Sequence, residues 1–339
     1  MLDLHLLWFL LLGILLAGYA VLDGFDLGVG ILHPVAREDP ERRVFLNAIG
    51  PIWDGNEVWL VTFGGALLAA FHIAYAAVFS AFFVPFTLLL FALIFRAVSI
   101  EFRSKMESAR WRRAWDYGFF LSSLLASFLF GVAAGNAMMG IPLDGRGVFT
   151  GNLADLLHPY PLLAGATVVA MFAMHGAIYL YLKTPESALL DRLRHWMWHT
   201  WGLFLVLYVL GTMYTLVEIP RATANFAGAP WAVAVVVVSV LAIANIPRSI
   251  YAGRPGQAFV SSSLAIVTLI GLFAIALWPN LVTASNDPEN SLTIYRAASS
   301  AKTLTIMAII AAIGMPFVLV YNAIIYWTFR GKVEIGDGY

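Results

Sequence analysis

The sequence predicts an all-α, polytopic membrane protein, and three observations predict it. Of the 339 residues, 61% are hydrophobic and only 12% charged, whereas a soluble domain carries about a quarter charged residues. The apolar residues fall into runs of about 18–27, each long enough to cross roughly 30 Å of hydrocarbon as a helix. Lysine and arginine gather in alternate connections between those runs, as in a chain that threads a bilayer repeatedly.

Composition also excludes several classes. The chain has no cysteine, so a disulfide framework, a Cys-ligated metal and thiol catalysis are ruled out. Net charge is zero, which gives no ground for a nucleic-acid partner. The start, M-L-D-L-H, lacks the basic segment of a signal peptide and reads as the lead into a retained first span.

Nine spans are expected, at about 6–32, 51–71, 74–100, 117–139, 160–182, 197–218, 230–247, 257–278 and 303–328. The second requires Pro51 at the first helical position, where its missing N–H is harmless. The short Phe71–Ala74 turn makes spans two and three antiparallel neighbours. Fifteen Lys and Arg residues lie in the connections after spans one, three, five and seven and in the tail. Four lie on the other side, and Arg96 lies within a span. The positive-inside rule then puts the N-terminus outside and the C-terminus in the cytoplasm.

This orientation collects the ionisable residues of the first three spans at one end. Asp23 and Asp26 lie in the inner half of span one, Asp54 and Glu57 at the inner end of span two, and Arg96 and Glu101 at the inner end of span three. Each of the first two pairs is spaced i,i+3 and shares a helix face. Charge in hydrocarbon is expensive unless paired or hydrated. The six residues therefore read as a hydrated polar access from the cytoplasm, against the plainer reading that they pair only to hold the bundle.

Other features read as architecture. Gly24-x-x-x-Gly28 and Gly131-x-x-x-Gly135 are packing seams. Pro85 and Pro316 are expected to kink their spans. Arg103 to Trp115 reads as a cytoplasmic interfacial helix on anionic lipid. Arg192 to Trp201 reads as an aromatic belt, which outweighs a metal site at His195 and His199 because no further ligand joins them. Of the seven histidines only His175 lies well inside a span, so no bis-His haem site is legible.

The motifs G-Y-A-V-L-D-G-F-D-L-G-V-G at 18–30, W-D-G-N-E-V-W-L at 53–60 and F-R-A-V-S-I-E-F-R-S-K at 95–105 resemble subunit II of the cytochrome bd-type quinol oxidases. So do R-W-R-R-A-W-D at 110–116, G-N-L-A-D-L-L-H-P-Y-P-L-L-A-G at 151–165 and S-L-T-I-Y-R-A-A-S-S at 291–300. The resemblance covers essentially the whole chain. It implies two four-helix bundles, about 6–139 and 160–278, plus a peripheral helix at about 303–328, in the bacterial inner membrane. It implies a haem-bearing subunit I as partner, holding two b-type haems and haem d, and leaves room for small single-span accessory subunits. This chain would ligate no haem itself, could hold a quinone as a structural lipid, and would line a cytoplasmic proton route. Asp54 matches the family's proton-path aspartate, Asp23 and Asp26 its D-G-F-D pair, and Arg96 the basic residue of span three, with Trp53 and Asn56 as supporting members of the same motif. Glu101 stands where many members have Asp, and Glu57 where some have Gln. The complex would oxidise quinol and reduce dioxygen to water. The rival from the residues alone is a stand-alone proton-coupled transporter, which would share the intramembrane acids but should show paired interrupted helices.

Overall fold

The computed structural model describes residues 3–333, and in it the chain is almost wholly helical. Helix α1 (Leu4–Leu32) is capped by Asp3, whose carboxylate accepts the N–H groups of His5 and Leu6. A single 3₁₀ turn, His33–Val35, leads to α2 (Asp39–Ile49), a short helix that sequence periodicity did not bring out. Its Glu41 side chain accepts the backbone N–H groups of Arg37 and Glu38, which satisfies donors that a helix start leaves open. Helix α3 (Trp53–Ala70) follows. Pro51 is not at its first position, as the sequence had suggested, but in the preceding turn, and the helix opens at Trp53.

The third predicted span is two helices, α4 (His72–Ala81) and α5 (Phe83–Phe102), parted at Phe82. Pro85 has no N–H for the carbonyl four residues back, at Ala81, and its ring crowds that carbonyl, so the ladder breaks there. Helix α6 (Ala109–Met139) begins eight residues before the expected span. The basic, Trp-rich stretch is therefore not a separate interfacial helix. Its first part is a 3₁₀ turn at Arg103–Lys105, and its second part is the first two turns of α6.

The second half comprises α7 (Pro159–Lys183), α8 (Ala188–Glu218), the short α9 (Arg221–Gly228), α10 (Ala232–Tyr251) and α11 (Pro255–Leu277). The polar connection after α11 forms a small hairpin, β1 (Asn280–Val282) with β2 (Leu292–Thr293), before α12 (Ala301–Thr328). Among the described residues, eight helices are long and apolar enough to cross a membrane. Helix α3 is the one expected span that falls short of that standard, because Asp54, Asn56 and Glu57 occupy its first turns.

Helix α7 is the hub. It is buried without interruption from Ala170 to Leu180 and packs on α1, α6, α8 and α11. Both glycine seams do the work expected of them. A Cβ added at Gly28 would overlap the Phe172 carbonyl oxygen, and one at Gly176 would overlap Gly28. Across the other seam, a Cβ at Gly131 would come within 2.5 Å of the Ala164 carbonyl oxygen, and one at Gly135 within 2.6 Å of Pro161. Only glycine lets these helix backbones approach so closely.

A buried carboxylate cluster at the junction of α1, α3, α5 and α12

Asp23 and Asp26 lie one turn apart on α1, with 0% and 1% of their surface exposed. Arg96, on α5, is fully buried opposite them. Its Nη1 stands 2.7 Å from Asp23 Oδ1 and its Nη2 3.6 Å from Glu57 Oε1 of α3. One guanidinium thus serves two carboxylates from two other helices. The first lacks the alignment of a hydrogen bond and the second is too long for one, so the attraction is Coulombic.

Asp26 is held differently. Asn56 Nδ2 donates to Asp26 Oδ2 at 2.7 Å and to the Leu22 carbonyl at 3.2 Å. The Asn56 amide oxygen accepts the Tyr326 hydroxyl of α12 at 2.8 Å. Asn56 is itself buried, so each of these bonds counts against its desolvation. The Tyr19 hydroxyl, both Asp23 oxygens, Asp26 Oδ1 and all three Arg96 nitrogens are buried with no hydrogen-bond partner among the protein's described atoms.

Of the six ionisable residues that the sequence had grouped, the cluster unites Asp23, Asp26, Glu57 and Arg96; it takes in the supporting Asn56 and adds Tyr326. Trp53 is buried in the apolar core beside it. Asp54 and Glu101 are not brought into contact with it. Asp54 is exposed on the first turn of α3, and Glu101 is half-buried in the last turn of α5. Sequence spacing fixes which turn each occupies but not which way the helix faces its neighbours.

A second charged centre was missed. Asp116 of α6 accepts from Arg103 Nε at 2.5 Å and from Arg42 Nη1 at 2.9 Å, and bonds His33 Nε2 at 2.7 Å. Arg103 Nη2 also donates to Asp39 at 2.7 Å, and Arg112 Nη1 donates to the same carboxylate at 3.2 Å. Partial burial pushes the Asp39 carboxyl up, but Arg103, Arg112 and Arg43 outweigh it and hold it below the usual carboxylate range. Of the basic stretch expected on lipid, Arg103 and Arg112 instead turn inward to acids in an ion network joining α2, the turn after α5 and α6, whereas Lys105, Arg110 and Arg113 are exposed and make no ion pair among the described residues. The signal was present: Asp116 heads an apolar run much as Asp23 lies within one.

Glu41 and Arg192 form a bidentate pair at 2.8 and 3.0 Å, tying α2 to α8. The Arg192 fork holds the Glu41 carboxyl below its ordinary value. His175 is buried, with Nδ1 at 2.7 Å from Ser262 Oγ and Nε2 at 3.1 Å from the Val21 carbonyl. Both ring nitrogens are engaged, so haem ligation there would cost one of these bonds. His195 and His199 each bond the carbonyl one turn back and face outward. Among the described residues no group of three or more His, Asp or Glu side chains is arranged to hold a metal ion. An apolar cleft of about 360 Å³ opens between α1, α3 and α12, with Trp59, Thr62, Tyr321 and Asn322 in its wall.

Comparison with known proteins agrees along the full length. The family model described as cytochrome bd terminal oxidase subunit II matches residues 4–329. The chain is 37% identical to cytochrome bd-I ubiquinol oxidase subunit 2 of Escherichia coli strain K12, over 98% of this chain and 96% of that one. It is 32% identical to cytochrome bd ubiquinol oxidase subunit 2 of Bacillus subtilis strain 168, over 98% of each. A chain of the solved bd oxidase from Geobacillus thermodenitrificans shares the fold, with a TM-score of 0.79 at 16% identity over 97% of this chain and 99% of that chain. With the family model spanning nearly every described residue and relatives above 30% identity end to end, this chain belongs to the cytochrome bd terminal oxidase subunit II family.

Proposed function

We propose that this chain is the second subunit of a quinol:oxygen oxidoreductase and that its buried carboxylate cluster conducts protons from the cytoplasm toward the oxygen-reducing site of a haem-bearing first subunit. Reduction of dioxygen to two waters consumes four electrons and four protons. The electrons belong to the partner's redox centres. For the reaction to charge the membrane, the protons come from the cytoplasmic side.

One observation carries the proposal: Asp23 and Glu57 share the single guanidinium of Arg96, and a third carboxylate, Asp26, is buried beside them on Asn56. The surplus of acids gives the cluster places to hold a proton, and Arg96 keeps part of it charged. Buried polar atoms without protein partners are costly unless hydrated. Tyr19, Asp23, Asp26 and Arg96 all contribute such atoms, so a file of water through them is the economical resolution. Asp54 and Glu101 flank the cluster at the helix ends and would serve as its collecting acids. Asn56 and Tyr326 hold Asp26 in register, and Trp53 walls the site.

In this reading α3 is a ninth span, crossing with its polar first turns in the hydrated access, and the N-terminus is outside. The basic residues on alternate connections support that orientation. The two-bundle division, with α12 peripheral, belongs to the same reading, as does a subunit I contact that stabilises the haem-bearing partner. A structural quinone is best accommodated in the apolar cleft beside Trp59, where Thr62, Tyr321 and Asn322 are the available polar partners.

The deciding experiment is quinol-driven oxygen consumption by Asp23→Asn, Asp26→Asn and Asp54→Asn variants, with haem content measured on the same samples. Turnover that falls at least tenfold with haem retained is expected, in the range typical of losing a positioned proton-transfer group. Unchanged turnover in all three would remove the proton path, and loss of haem together with activity would reassign the cluster to assembly.

A further inference from the structure

The tip of the α10–α11 hairpin carries a cavity that the proton route does not use. It measures about 390 Å³ and is lined by Asn245 and Arg248 at the end of α10 and by Arg254, Gln257, Val260 and Ser261 at the start of α11. The turn between the helices is held by its backbone. Gly253 N–H donates to the Ile250 carbonyl at 3.2 Å, and Arg254 N–H to the Ser249 carbonyl at 2.9 Å. Gly253 has φ +66°, a left-handed conformation that glycine adopts without steric cost. The turn therefore delivers Arg254 to the same cavity as Arg248.

The floor of the cavity is ordered. Asn245 Nδ2 donates to Ser261 Oγ at 2.9 Å across the helix pair, and Arg248 Nη1 donates to Asn245 Oδ1 at 3.3 Å. Among the described residues no carboxylate pairs with Arg248 or Arg254, in contrast to Arg42, Arg103, Arg112 and Arg192. Two guanidinium groups without acids around one polar cavity suit a ligand with several anionic oxygens, and the planar Arg fork matches phosphate.

The surface below the cavity is apolar and open. On α10, Val237 is 50% and Leu241 62% exposed; on α11, Val260 is 65%, Leu264 40% and Val267 44% exposed. The spacings 237/241/248 and 260/264/267 each follow one helix face. Each apolar ridge thus runs up to the charged rim. A phosphate-binding head at the end of two spans, with apolar ridges leading away from it, has the shape of a lipid site, and basic pockets between spans are known to take anionic headgroups. We infer that this cavity binds the phosphate of an anionic membrane phospholipid whose acyl chains lie along α10 and α11.

The test uses the full chain with the subunits that accompany it, purified in mild detergent, stripped of lipid and titrated with phosphatidylglycerol under native mass spectrometry. The double variant Arg248→Gln/Arg254→Gln is expected to weaken the tightest adduct by about 30-fold, since each basic residue near an anionic lipid surface contributes roughly fivefold. Arg330→Gln, which removes an exposed charge stacked on Trp327, is expected to leave the adduct unchanged. The double variant Leu241→Asn/Leu264→Asn keeps both arginines and leaves the cavity lining intact but spoils the apolar ridges, and is expected to lower lipid affinity while inorganic phosphate binding is retained. Equal affinity in wild type and the arginine double variant would overturn the site. Displacement of the lipid by millimolar inorganic phosphate, or full lipid affinity in Leu241→Asn/Leu264→Asn, would overturn the lipid as its ligand.

Discussion

Arg96 is fully buried on α5, 2.7 Å from one carboxylate and 3.6 Å from another. Removing one member of such a group strands the other charges in a medium that solvates them poorly. Arg96→Gln is therefore expected to cost about 3–5 kcal/mol of stability, read as a drop in folded yield and in the thermal midpoint of the purified complex. Arg96→Lys keeps the charge but cannot reach both Asp23 and Glu57 with one planar fork, so it should restore only part of the loss. Tyr326 is a subtler case. Its hydroxyl donates to Asn56, whose amide in turn donates to Asp26. Tyr326→Phe should cost about 1 kcal/mol and lower turnover a few-fold with haem content intact. An unaltered turnover would limit Tyr326 to holding α12 in place.

At the scale of elements, the contact of α1 with α7 is made by missing side chains. Gly28 and Gly176 meet backbone to backbone, and no rotamer change can make room for a Cβ there. Gly28→Ala should destabilise the chain by about 2 kcal/mol or more through forced separation of the helices. Gly13 on the same helix has nothing within 4 Å. Gly13→Ala should be neutral or stabilising by up to about 1 kcal/mol, from helix propensity alone. Thermal unfolding of the two variants side by side separates the seam from the general effect of adding a methyl group. The break between α4 and α5 belongs to this scale too, because Pro85 ends one hydrogen-bond ladder and starts another.

At the scale of the whole molecule, few charged contacts join the two halves of the chain, and the Glu41–Arg192 pair is one of them. Glu41 titrates below its ordinary value because Arg192 favours its charged form. The pair's contribution is therefore present above the unfolded-chain value near pH 4.3 and disappears as pH falls through the lower folded value. Glu41→Gln should lose about 1 kcal/mol near neutral pH. The gap between variant and wild type should narrow in thermal scans taken at a pH well below the ordinary carboxylate range. A gap of equal size at both pH values would assign the loss to packing rather than to the ion pair.

The sequence by itself determined that this chain is helical, membrane-spanning and charged in a few chosen places. Apolar run length answers to bilayer thickness, and a buried charge needs a reason that composition alone makes visible. Asp23, Asp26, Glu57 and Arg96 were legible as a group for that reason, and the glycine seams were legible because spacing four apart marks one face of a helix. Tertiary structure decided what depends on helix rotation and on partners distant in the chain. It left Asp54 and Glu101 outside the direct contacts, drew Tyr326 to Asn56 across 270 residues, and turned Arg103 and Arg112 from the lipid toward Asp39 and Asp116. A one-dimensional pattern fixes the turn on which a residue stands, but the direction it faces is set by how neighbouring helices pack. Packing is a property of pairs of surfaces, which no single stretch of sequence contains.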